Sequence, residues 1–95
     1  MKPSTDLKPY RETPVFDRGN VPAALLSDHS IKAGTWGRLE VLDGEVRYAE
    51  AGFPGRDVAV RAGGSLMIPP TAPHRVSLSE DARFRVVFLK PVSPA

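Results

Sequence analysis

From residue 35 onward the chain alternates apolar and polar positions with a period of two, the mark of strands buried on one face. Thr35, Gly37, Leu39 and Val41 share one face, and Trp36, Arg38, Glu40 and Leu42 share the other. Asp43-Gly44 follows, a dipeptide that favours a tight hairpin turn. Val46 and Tyr48 alternate with Glu45 and Arg47, and past a Gly-Phe-Pro-Gly loop at 52–55 Val58 and Val60 repeat the pattern. Ala62-Gly63-Gly64 turns the chain into a strand over 65–68, and the proline-rich stretch 69–73 makes a rigid corner. His74, Val76 and Leu78 alternate with Arg75, Ser77 and Ser79. After Glu80-Asp81, Phe84, Val86 and Phe88 alternate with Arg83 and Arg85. Turns recurring every eight to twelve residues or so predict about seven short strands in a sandwich or barrel.

The first twenty residues lack such a period and contain Pro3, Pro9 and Pro14. They predict an extended arm with an edge strand over 13–16, since proline cannot donate to a ladder. Residues 22–26, Pro-Ala-Ala-Leu-Leu, form the one helical stretch, with Asn20 upstream as a cap and Pro22 near the first turn. It is long enough for one or two turns. The expectation is therefore a single all-β domain over residues 1–95 with one short N-terminal helix.

Composition narrows the chemistry. Ninety-five residues hold one core, and the ten prolines and eight glycines are spread as turn punctuation rather than clustered. The absence of cysteine removes disulfides, thiolate metal sites and thiol catalysis. No apolar run approaches the roughly 20 residues of a membrane span, and the N-terminus has no signal-peptide pattern, so a cytoplasmic protein is expected. The formal net charge is only +2, and the arginines at 38, 47, 75, 83 and 85 fall on outward strand positions. Without an aromatic ladder beside them they read as a solvated face, not a nucleic-acid site. No Ser-His-Asp arrangement, phosphate loop or dinucleotide fingerprint is present. Glu40, Glu45, Glu50, Glu80 and Asp81 fit exposed strand positions or turns, leaving no carboxylate pair for acid/base work.

Two segments carry more than a fold class. The run from Gly63 through Pro69 to His74 resembles the second cupin motif, G-x5-P-x-G-x2-H, with Thr71 standing where the motif has glycine. The stretch Leu39-Glu-Val-Leu-Asp-Gly44 resembles the end of the first. More narrowly, the chain resembles a small cupin-like family linked to tellurite resistance, which also forms the N-terminal domain of some tellurite-resistance methyltransferases. The resemblance rests on residues 8–16, on the run Asp28-His29-x-x-Lys32-x-Gly34-x-Trp36-Gly37, and on 68–76 and 83–88. It implies a cupin-like double-stranded β-helix, a small jelly-roll barrel. It carries no methyltransferase activity over, since no such domain is present in these residues.

The usual cupin metal set is two histidines, a glutamate and the histidine of the second motif. Aligned on Gly44, those first three places hold Ser30, Lys32 and Gly37, so three of the four ligands are replaced. His29 stands one residue aside, which in a strand turns a side chain to the opposite face. The expectation is thus no complete site for a divalent metal such as Zn, Fe, Ni or Mn, with His29 and His74 as the available ligands. A hydrogen-bonded core histidine is the competing reading of His29. Lys32 in a ligand place puts a cation at the barrel mouth, where an anion would neutralise it. The pocket residues expected are Lys32, His74, His29 and Trp36, with His74 as a donor and Trp36 as an apolar wall; the alternative leaves Lys32 salt-bridged at the surface. By parity Trp36 faces outward, where it would pack under the short helix or join Leu42 and the arm in a homodimer. Three functions follow: a small-anion or oxyanion-binding protein, a metal-dependent cupin enzyme using His29 and His74, or a dimeric interaction module without a ligand.

Overall fold

The computed structural model describes residues 6–52 and 55–92. The period-two stretches are strands: β1 (Leu7–Glu12), β2 (Trp36–Asp43), β3 (Glu45–Glu50), β4 (Arg56–Arg61), β5 (Ser65–Ile68), β6 (His74–Leu78) and β7 (Arg83–Pro91). All pairings are antiparallel, and they build a four-stranded sheet in the order β1-β7-β2-β5 and a three-stranded sheet in the order β4-β3-β6. The all-β expectation holds. Phe53 and Pro54 of the expected loop, and the first five residues of the arm, lie outside the described residues.

The sheets share one core. Leu39, Val41, Ile68, Phe84 and Val86 of the larger sheet meet Val46, Tyr48, Val60 and Val76 of the smaller. These are the residues that alternation assigned inward, each side chain contributing about 1.5–3 kcal/mol on burial. Strand β7 departs from simple alternation. Val87 and Leu89, on its opposite face, are also buried. The reason is position: β7 is flanked by β1 and β2, and Leu89 lies between Pro9 and Trp36.

Three expectations change. First, Asp43-Gly44 does not close a hairpin, because β2 and β3 belong to different sheets. Gly44, at φ 65°, turns a corner between sheets and its carbonyl accepts from Ala62 N–H at 3.0 Å. Second, the N-terminal helix is only a 3₁₀ turn, Ala23–Leu26. Pro22 and Ser27 on either side are extended. Asn20 does not cap it, since Asn20 Oδ1 accepts from Asp17 N–H at 2.6 Å and Asn20 Nδ2 donates to the Val15 carbonyl at 3.2 Å. With no cap and four residues, a helix nucleus is not sustained. Third, the arm's strand is Leu7–Glu12 rather than 13–16; beyond it Thr13 and Phe16 continue along β7 through hydrogen bonds to the Val86 and Phe84 carbonyls at 2.9 and 2.7 Å. Among the described residues no helix is long and apolar enough to cross a membrane.

Candidate functional site

The proline corner delivers His74 into the space between the sheets. Thr71, the residue in the motif's glycine place, adopts φ 66°, the left-handed conformation that glycine would supply without strain. It is held there by its N–H, which donates to the Ile31 carbonyl at 2.7 Å. Three residues on, His29 and His74 exchange backbone hydrogen bonds of 2.9 and 2.7 Å. The segment around residues 29–31 is therefore stitched to 71–74, and the two imidazoles meet edge to face with centroids 4.2 Å apart. The strand-parity objection to His29 does not apply, because His29 sits in an isolated bridge outside any strand and its ring reaches the same side as His74.

His29 and His74 line a cavity of about 420 Å³. Ile31, Ile68, Val86 and Phe88 supply apolar wall, with Leu25 and Thr35 beside them. Lys32 and Ser30 lie at its rim, as do Tyr10, Arg11 and Thr13 from the arm. Lys32 and His74 thus share one cavity. Trp36 is not among the lining residues. Its neighbours Gly37 and Leu39 face the core, while Trp36 is half-buried on the outer face of the larger sheet. It does not pack under the 3₁₀ turn, which rests on β6 of the other sheet. Leu42 is exposed at a register shift in the β2–β7 ladder.

Arg11 was not anticipated from sequence. Between Pro9, opposite Leu89, and Arg11, opposite Phe88, the ladder carries an extra residue, Tyr10. Strict alternation from Pro9 would turn Arg11 outward; the bulge re-aims it toward the cavity. Lys90 stands 4.6 Å from the centre of the Tyr10 ring. Among the described residues Arg11, Lys32 and Lys90 have no carboxylate partner, as is also true of Lys8, Arg18 and Arg75, whereas Arg38, Arg47, Arg56, Arg61, Arg83 and Arg85 do. No carboxylate among them lines the cavity either. The rim carries two cations without an ion-pair partner among the described residues, while Asp28 and Glu50, outside the lining, act on His74 through their charge.

Both imidazoles are anchored alike. His29 Nδ1 lies 2.9 Å from the Ser27 carbonyl and His74 Nδ1 lies 3.0 Å from the Ala72 carbonyl, each two residues back. A carbonyl only accepts, so each Nδ1 carries a proton, and a ring that holds no second proton keeps its lone pair on Nε2. Burial pushes the His74 pKa below its ordinary 6.5, against the Ala72 hydrogen bond that raises it. His74, expected as a donor, is therefore an acceptor at neutral pH.

Behind His74 the Tyr48 ring stacks at 5.3 Å, and its hydroxyl donates to Glu50 at 2.8 Å. Arg56 grips the same carboxylate at 2.8 and 3.1 Å and holds its pKa below the usual range. Glu50 was expected to be exposed; it is largely covered, with only 11% of its side chain accessible. The signal was present, since Glu50 shares parity with the inward-facing Val46 and Tyr48. Burial, with the Glu50 hydrogen bond, raises the Tyr48 pKa and keeps the phenol neutral.

The donor set fits no resident metal ion. Two imidazoles are available, and the described residues contain no cluster of three His, Asp or Glu placed to hold one. Gly37, in the glutamate place, supplies no ligand; a Cβ there would come within 2.8 Å of Ile31 Cδ1, which would have to shift.

Sequence and structure comparisons agree with the β-rich fold. A family model described as the TehB-like domain matches residues 11–86. The chain is 34% identical over 84 residues to the probable S-adenosyl-L-methionine-dependent methyltransferase TehB of Haemophilus influenzae, covering 83% of this chain and 29% of that protein. It therefore spans under a third of that relative's length. The crystal structure of Haemophilus influenzae TehB superposes with a TM-score of 0.80 at 29% identity, over 90% of this chain and 32% of that one. A protein from Escherichia coli K12 superposes with a TM-score of 0.82 at 24% identity, covering 100% of this chain and 98% of that one, a likeness of fold. The chain belongs to the TehB-like domain family.

Proposed function

We propose that this protein is a cupin-like small-anion-binding domain, not itself an enzyme, serving the tellurite-resistance or related stress functions linked to its family. Nested pairing supports the jelly-roll reading: β1 pairs with β7, β2 with β5 and β3 with β4, each pair enclosing the next along the chain, and β2–β7 and β3–β6 contacts join the layers into two sheets. The anion reading is carried by one observation, a cavity whose rim presents Lys32 and Arg11 with no carboxylate to neutralise them. Unpaired cations beside apolar wall favour a ligand that brings negative charge.

Titration calorimetry with selenite, tellurite, phosphate and a panel of organic acids tests it. Binding by the wild-type protein that falls roughly tenfold in Lys32→Ala and in Arg11→Ala is expected, the value of one charge-assisted hydrogen bond. No binding, or equal binding by both variants, removes the anion site and leaves the interaction-module reading.

A further inference from the structure

The cavity asks for more than charge. Its rim offers donors, but its floor offers acceptors, because both Nδ1 atoms are spent on backbone carbonyls and the Nε2 lone pairs are what remain. His74 is 2% exposed, and no buried side-chain nitrogen or oxygen among the described residues lacks a partner. Its Nε2 has no hydrogen-bond partner among the described residues, and the cavity is the space that His74 lines. A bare anion placed there would face lone pairs. Ile68 and Val86 between rim and floor match an alkyl segment.

We propose that the ligand is a hydroxylated organic acid, its carboxylate held by Arg11 and Lys32 at the rim and its hydroxyl donating its one proton to the Nε2 edge of the His29–His74 imidazole pair. This rests on the anion-site reading above and specifies the other end of the molecule. The two imidazoles discriminate and the two cations capture. Trading the hydroxyl for a methyl leaves a desolvated imidazole acceptor without its donor, which is how a polar site rejects an analogue.

Calorimetry at about pH 7.5, above the ordinary imidazole value, with a chelator present, tests it using propionate, butyrate and hexanoate. Each is compared with its ω-hydroxy and ω-methoxy analogues. For at least one chain length the hydroxy acid should bind about three- to tenfold tighter than its parent, the worth of one net hydrogen bond. The methoxy analogue, which cannot donate, should show no gain. His74→Phe preserves the stack on Tyr48 but has no lone pair, so it and His29→Phe should shrink the hydroxyl preference and spare the parent acid. Repeating the titration in two buffers of different ionisation enthalpy should show no proton uptake, a readout that stands even if a variant fails to fold. Equal affinity for hydroxy and parent acids overturns this inference and leaves the anion site intact. Failure of every acid to bind overturns both. Uptake of close to one proton means an imidazolium donates to the anion, and a preference present only without chelator means a metal ion holds the hydroxyl; each overturns the assignment.

Discussion

Gly44→Ala tests the inter-sheet corner, with Gly63→Ala as its matched control. Both glycines have positive φ, 65° and 87°, so alanine at either costs about 1–2 kcal/mol of left-handed strain. They differ in surroundings. A Cβ on Gly63 meets nothing within 4 Å. One on Gly44 would come within 2.5 Å of Asp81 Oδ1, 2.6 Å of Ser79 Oγ and 2.8 Å of the Ala82 backbone nitrogen. Ser79 cannot yield freely, since its hydroxyl accepts from Glu45 N–H and donates to Asp81, both at 2.9 Å. Displacing it breaks bonds worth roughly 0.5–1.5 kcal/mol each, besides overpacking of about 1–3 kcal/mol. Gly44→Ala should therefore cost roughly 2–3 kcal/mol more than Gly63→Ala, a Tm gap on the order of 10–20 °C for a domain this small. Urea melts of the two variants and the parent measure it, provided the slopes agree. Equal losses at the two positions would refute the claim that close packing, beyond backbone conformation, holds the corner.

Two further outcomes follow from the site. The His74 pKa is depressed by burial, so the unfolded chain binds a proton that the native state refuses. Stability from this group is complete above about pH 6.5 and declines as pH falls below it; urea midpoints of the parent between neutral and mildly acidic pH should show that slope, and His74→Phe should flatten it. Thr71→Gly removes left-handed strain from a β-branched residue and should leave stability unchanged or raise it by up to about 1 kcal/mol, read as a small rise in Tm. A clear fall would mean that the hydroxyl's hydrogen bond to the Pro70 carbonyl, at 2.6 Å, outweighs the strain.

Much of the fold was legible along the chain because its cause is local. A strand buried on one face must alternate, and the alternation at 35–42 and 74–79 placed Leu39, Val41, His74 and Val76 inward, as the structure has them. The same logic, followed one step further from Tyr48, would have covered Glu50. Where several elements compete for a residue, parity misled. Val87 and Leu89 are buried from a face that the sequence pattern leaves to solvent, because strands lie on both sides of β7. Short-range helix signals at 22–26 failed for a related reason, since Asn20 was already committed to Asp17 and Val15.

What the sequence by itself determined is an all-β chain and the inward His74, since period-two burial and a proline corner depend on neighbours a few residues apart. Only the tertiary structure decided that Asp43-Gly44 passes between sheets, that a bulge at Tyr10 swings Arg11 to the same cavity, and that His29 joins His74 through a backbone bridge. It also decided the sense of the hydrogen bonds. An imidazole becomes acceptor or donor according to which of its nitrogens a carbonyl claims, and that depends on the backbone path around it rather than on the letters of the sequence.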